Sequence, residues 1–251
     1  RLLRTNLQYS ILDSKKRLIV VSSTISGEGK SFISTNLAAI LSVTNKKTLV
    51  IGLDMRKPRV QQIFDFENRE GISDFLIGNI SYEQLIKKTN YDNLYIALPG
   101  TLPPNPAELI ESKKMQDLID RVKEEYDYVI VDTPPVGIVA DALLLANKAD
   151  AFLYVIRQKY SSKSSVKLLS EIIQNHKLNN VNIVLNGVKH SVTYGLKYGY
   201  GYGYGYGYGY GYTYGQGYYD DDKEKLEQEK GFLRKLNDRV LLMFMKILDR
   251  K

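Results

Sequence analysis

Six short apolar runs recur along the first three quarters of the chain. They are Leu-Ile-Val-Val inside Arg17–Ser23, Thr-Leu-Val-Ile-Gly-Leu at 48–53, Leu-Tyr-Ile-Ala-Leu at 94–98, Tyr-Val-Ile-Val inside Tyr128–Asp132, Phe-Leu-Tyr-Val-Ile within 151–156 and Asn-Ile-Val-Leu within 182–186. Unbroken apolar runs of this length suit strands buried on both faces. Helix-like stretches lie between them, at 31–41, 107–125, 140–147 and 164–175. Strand–helix alternation predicts an α/β fold, a mostly parallel sheet with helices on both faces. In such sheets ligands bind at the carboxyl ends of the strands.

Composition narrows the class. At 251 residues the chain is one sizeable domain with appendages, or two small ones. An apolar content of 43% excludes wholesale disorder. The absence of cysteine excludes disulfides and thiolate metal sites, and two histidines, His176 and His190, leave little for a histidine-based site. No apolar run reaches the roughly 18 residues of a membrane span, and residues 1–20 lack a signal-peptide pattern. The lack of cysteine also fits a reducing compartment. The chain opens on Arg1 rather than Met, as expected of a piece of something longer. Its net charge of +7 is spread thinly, with no basic block longer than two or three residues. It reads as a solvated surface, and no nucleic-acid partner is expected.

Composition also divides the chain. Residues 1–193 carry the alternating elements. Residues 194–219 hold 12 Tyr and 10 Gly in 26 positions, mostly in strict alternation. Glycine loses the most backbone entropy on ordering, so this segment is expected to be a flexible tail. Residues 220–251 begin with Asp220–Asp222 and then place Leu233, Leu236, Val240, Phe244 and Ile247 at helical spacing, with Lys and Arg on the other face. Such a helix suits an anionic membrane surface, a partner, or its own domain.

The first strand runs into Thr24-Ile25-Ser26-Gly27-Glu28-Gly29-Lys30-Ser31, followed by a helix. The phosphate-binding pattern G-x-x-x-x-G-K-[ST] needs that strand–loop–helix order, and its last three letters are in place, with Thr24 standing for the first glycine. Small residues let backbone N–H groups wrap phosphates, and the helix N-terminus adds its positive dipole end. ATP is the expected ligand, held by Gly27, Glu28, Gly29, Lys30, Ser31 and Phe32. Lys30 would reach the β- and γ-phosphates and Ser31 would bind Mg²⁺. Asn186, at the end of the last strand, is assigned to the adenine pocket by position.

Two carboxylates complete the candidate site. Asp132 ends a buried strand, where a Mg²⁺ ligand is needed; taken alone it also fits a helix cap before a turn. Asp54 follows the second strand beside Arg56, Lys57 and Arg59. It suits either a structural ion pair or a Mg²⁺-binding, hydroxyl-activating carboxylate.

These three motifs, in this order and spacing, resemble the bacterial tyrosine kinases. The likeness covers nearly the whole chain. Leu53-Asp54-Met55-Arg56 resembles the family's second Walker motif and Ile130-Val131-Asp132-Thr133-Pro134-Pro135 its Walker B. Residues 71–78 and 99–109 look like the family as well. The resemblance implies a P-loop NTPase-like fold, ATP and Mg²⁺ as cofactors, and catalytic roles for Lys30, Asp54, Asp132 and Arg56. It makes the tyrosine cluster an autophosphorylation tail, with acceptors Tyr198, Tyr200, Tyr202, Tyr204, Tyr206, Tyr208, Tyr210, Tyr212, Tyr214, Tyr218 and Tyr219. It further implies a ring-like homo-oligomer, tethering to the bacterial inner membrane through a membrane-embedded polysaccharide co-polymerase, a role in capsule or exopolysaccharide synthesis and export, and an opposing tyrosine phosphatase.

The chain departs from the family pattern twice. The second Walker motif usually reads D-x-D-x-R, but here Gly52 replaces the first Asp, the carboxylate usually credited with activating the tyrosine hydroxyl. Asp54 or Asp132 then takes that role, or positioning and Mg²⁺ suffice, or the domain is a catalytically weakened ATP-binding scaffold. The family's ring-building E-x-x-R-x-x-R stretch is represented only by Arg1 and Arg4, with weaker ring contacts expected in this piece. The partitioning and division ATPases are the nearest rival. They carry a lysine where this chain has Ile25, and no tyrosine tail.

Each phosphotyrosine adds about −1.5 to −2 charge near neutral pH, so twelve would add roughly −18 to −24. Charges that dense repel, which predicts that phosphorylation separates the subunits of a ring. Size exclusion with light scattering will give a smaller assembly for the phosphorylated chain; equal masses for both forms would refute this.

Overall fold

The structure, a computed structural model, describes residues 2–11, 17–64, 66 and 70–188. Arg1, the Tyr/Gly-rich segment and the helix expected after it lie outside the described residues.

Seven strands form one sheet: β1 (Arg17–Ser23), β2 (Thr48–Gly52), β3 (Ile86–Lys88), β4 (Leu94–Ala97), β5 (Tyr128–Asp132), β6 (Ala151–Arg157) and β7 (Val181–Asn186). Their order is β3-β4-β2-β5-β1-β6-β7. All pairings are parallel except β3 on β4. The helices are α1 (Leu2–Ser10), α2 (Lys30–Ser42), α3 (Val60–Ile63), α4 (Ile72–Ile77), α5 (Tyr82–Leu85), α6 (Pro106–Glu111), α7 (Lys113–Glu125), α8 (Asp141–Ala146) and α9 (Lys163–His176).

The apolar runs are buried on both faces, as their composition requires. Leu18 and Val20 of β1, with Leu49, Ile51, Val129 and Val131, join a core covered by α6–α9. Ile19 and Val21, alternating with them, join Val50 and Ile130 under α1 and α2, which contribute Leu7, Leu37, Ala38 and Leu41. This alternation across the pleat puts helices on both faces. In α7, Met115, Leu118, Ile119 and Val122 form one buried stripe. Burying four such side chains contributes on the order of 6–12 kcal/mol before ordering entropy is subtracted.

The structure corrects the expected elements in two places. The helix expected at 107–125 is two helices. Ser112 leaves the helical region at ψ 152°, and its Oγ accepts from the Met115 N–H at 3.2 Å, starting α7 afresh. The antiparallel edge strand β3 was not foreseen; Ile86-Lys87-Lys88 is short and charged, which suits an edge that must not pair further.

Candidate active site

Because β1, β2, β5, β6 and β7 run parallel, their carboxyl ends lie along one edge of the sheet. The candidate residues gather there. Ser22 Oγ donates to the Pro134 carbonyl at 3.0 Å and Thr133 Oγ1 to the Val21 carbonyl at 2.8 Å, fastening β1 to the segment after β5. Thr24, where the phosphate-loop pattern has glycine, instead bonds the Tyr154 hydroxyl at 2.5 Å.

The loop enters α2 through Gly29, whose φ of 102° is left-handed. No side chain caps α2, and no acidic residue occupies its first turn. Its first N–H groups and dipole are thus left for an anion. Beside it a cavity of about 350 Å³ is lined by Gly29, Lys30, Ser31, Asp54, Lys57 and Arg59, among others. That volume is in the range of small-ligand sites.

Asp132 is almost wholly buried at the tip of β5. Ser31 Oγ donates to its Oδ2 at 2.6 Å and Ser34 Oγ to its Oδ1 at 3.2 Å, so it is not a helix cap. Burial pushes its carboxyl from 3.8 up to about 6; the Ser31 hydroxyl and Lys30 charge pull back, while Asp54 adds to the rise. Asp54 is also buried and accepts the Lys57 N–H at 3.0 Å, which fixes it at the cavity wall. Lys30, Ser31, Asp54 and Asp132 are therefore brought together. The set of hydroxyl and carboxylate oxygens fits Mg²⁺, which takes few protein ligands and completes its shell with phosphate oxygens and water. Among the described residues no cluster of three or more His, Cys, Asp or Glu forms a dedicated metal cage.

Other expected residues sit differently. Arg56 is exposed, and its charge acts on Asp141, the first residue of α8. Burial raises the Asp141 carboxyl; Arg56 opposes that and Asp54 adds to it. Phe32 is 60% exposed at the rim. The Glu28 side chain is fully buried behind the loop, where it accepts from Ile25 N–H at 2.8 Å and from the Ser161 hydroxyl. Asn186 donates from Nδ2 to the Glu28 carbonyl at 2.9 Å. At Gly52 an added Cβ would lie 3.0 Å from the Pro99 ring, so a side chain there needs Pro99 to shift. Sequence reasoning missed Ser34, the second hydroxyl on Asp132, although it follows Ser31 by one helical turn. It also missed Ser161 and Asp141, which carry no motif.

The site and sheet define a P-loop domain, and a protein-family model described as AAA domain matches residues 16–186. The chain is 37% identical over 191 residues to the tyrosine-protein kinase YwqD of Bacillus subtilis, covering 76% of this chain and 81% of that protein. The kinase domain of the Escherichia coli tyrosine kinase ETK is similar with a TM-score of 0.72 at 28% identity, over 84% of this chain and 78% of that one. This chain belongs to the bacterial tyrosine-protein kinases. It spans only 26% of the putative tyrosine-protein kinase in the cps region of Klebsiella pneumoniae, to which it is 35% identical over 74% of its own length. The cell-division ATPase MinD of Pyrococcus furiosus shares the fold at TM-score 0.55 and 22% identity, over 67% of this chain and 69% of that one.

The raised Asp132 carboxyl gives a pH prediction. Its folded pKa lies above its ordinary value, so between about pH 4 and 6 the folded state keeps a proton the unfolded state has lost, and stability falls as pH rises through that window. Without ligand, the parent will lose more thermal stability between about pH 4.5 and 6.5 than Asp132→Asn does. Parallel melting curves for the two would contradict this.

Proposed function

We propose that this chain is an ATP- and Mg²⁺-dependent protein-tyrosine autokinase domain. It phosphorylates the tyrosines of its own C-terminal segment, between neighbouring subunits of a ring-like homo-oligomer. The observation that carries the reading is that Lys30, Ser31, Asp54 and Asp132 meet at one site in a chain whose sequence also carries a tyrosine-rich segment. β7 ends at Asn186, which is hydrogen-bonded to the phosphate loop, and the twelve tyrosines begin eight residues further on, at Tyr194.

The residues divide the work. Gly27, Glu28 and Gly29 present backbone amides to the phosphates, Lys30 offsets charge on the β- and γ-phosphates, and Phe32 borders the nucleotide. Ser31 and Asp132 would hold Mg²⁺, with Asp54 beside it as proton acceptor, and the metal would supply charge neutralisation on the transferring phosphoryl group. Transfer forms a bond from the tyrosine oxygen to the γ-phosphorus and breaks the bond to the bridging oxygen of ADP. The tyrosine proton passes to Asp54, which takes the role left open by Gly52. Arg56 steadies Asp141 at the start of α8. A second cavity of about 690 Å³ meets the first at Gln62 and is lined by uncharged residues, including Met55, Pro58, Phe66 and Leu102. Its neutral, partly apolar walls suit an unmodified Tyr-Gly segment.

No helix among the described residues is long and apolar enough to cross a membrane. Tethering through a membrane-embedded polysaccharide co-polymerase, on the inner membrane's cytoplasmic side, is supported by the relative named for a cps region. There it would regulate capsule or exopolysaccharide synthesis and export, with a tyrosine phosphatase reversing the modification. Arg1 and Arg4 are the ring-contact candidates. The Gly52–Pro99 contact favours one second reading, an ATP-binding scaffold with little transfer activity.

Intact-mass analysis after incubation with Mg-ATP separates the two. Successive single-phosphate increments are expected, and Lys30→Met will abolish them. A folded, oligomeric sample that gains no mass would favour the scaffold.

A further inference from the structure

Three consecutive carbonyls of the phosphate loop are each held by a side chain from outside it. Tyr160 Oη donates to the Ser26 carbonyl, Arg157 Nη1 to the Gly27 carbonyl and Asn186 Nδ2 to the Glu28 carbonyl, each at 2.9 Å. In a planar trans peptide, the carbonyl of one residue and the N–H of the next point in opposite directions. Drawing these three carbonyls to one side therefore turns the Gly27, Glu28 and Gly29 amides to the other. Among the described residues those amides have no acceptor within the protein.

The holding side chains are themselves braced. Residues 157–161 form the corner between β6 and α9, with Lys159 in the left-handed region at φ 59°. Ser161 Oγ accepts the Arg157 N–H at 2.8 Å and donates to the buried Glu28 carboxylate. The Arg157 guanidinium lies 5.2 Å from the Tyr160 ring centre. Asn186 Oδ1 accepts the Gly187 N–H at 2.8 Å, which fixes which end of its amide faces the loop. The loop's glycines fit this arrangement. A Cβ on Gly27 would strike the Tyr160 hydroxyl, and one on Gly29 would strike the Asn186 amide. Both also have left-handed φ, at 92° and 102°.

We propose that the corner 157–161 and Asn186 form a carbonyl clamp that aims the loop's amides at the triphosphate. Arg157, Tyr160 and Asn186 are then positioning residues for the phosphates, with Asn186 acting on them through the Glu28 carbonyl. The clamp rests on the nucleotide-binding part of the function proposed above, but not on tyrosine transfer.

Binding to the full chain tests it, with Mg-ATP and Mg-tripolyphosphate (which lacks the base and sugar) as probes. Tyr160→Phe removes only a hydroxyl, Asn186→Ala removes the amide, and Tyr91→Phe, at an exposed tyrosine on another part of the surface, is the control. At a net value of about 1 kcal/mol per hydrogen bond, each clamp variant will weaken both probes about fivefold. The control will bind as the parent does, and melting temperatures will report intact folds. Loss confined to Mg-ATP would mean these residues contact the base, and unchanged affinity for both probes would mean the carbonyls need no holding. Either result overturns the clamp while leaving the kinase reading standing. A parent chain that binds neither probe would overturn both.

Discussion

Asp132 is a carboxylate in the interior, and the arrangement around it depends on how that is tolerated. Its two oxygens accept from Ser31 and Ser34, both on α2, while Asp132 itself ends β5. A buried carboxylate without such donors would carry a large desolvation cost. The hydroxyls therefore tie the first turns of α2 to the centre of the sheet, because β5 lies between β1 and β2 in the strand order. Once α2 is tied there, its free N–H groups, Lys30 and the loop before it face the sheet's carboxyl edge. The same burial keeps the Asp132 carboxyl's pKa high, so its charge is best accommodated when a cation shares it.

Much of this was legible in the sequence for a definite physical reason. Continuous apolar runs can be satisfied only by strands covered on both sides, and Leu18, Ile19, Val20 and Val21 divide between the two cores as that demands. Gly29-Lys30-Ser31 and Asp132 were legible because phosphate chemistry needs those groups at a strand end and a helix start. What was not legible depends on contacts between distant positions. Glu28 stands within the phosphate loop in sequence, yet its side chain turns inward to Ser161, 133 residues away. Asn186, assigned to the adenine pocket by its position, has a loop carbonyl as its partner. The break at Ser112 turned on a single side-chain cap inside an otherwise good helical pattern. Thr24 reads as a departure from the motif until Tyr154 is seen to take its hydroxyl.

Both sides of the phosphate loop are thus committed. On the sheet side, Ser31 bonds the strand-tip carboxylate. On the far side, the corner after β6 and the end of β7 hold the loop's carbonyls. β7 also leads to the tyrosine-rich segment, so the strand that carries a clamp residue carries the proposed substrate a few residues later. Gly52 lies against the Pro99 ring, and the neighbouring Asp54 is the carboxylate already facing the cavity.

The most direct measurement is a crystal structure of this chain with Mg²⁺ and a non-hydrolysable ATP analogue. The account predicts the β- and γ-phosphates on the amides of residues 27–31, the metal touching Ser31 Oγ on its Asp132 side, and the Ser26, Gly27 and Glu28 carbonyls still held from outside. Phosphates bound elsewhere, or a metal remote from Ser31 and Asp132, would contradict it.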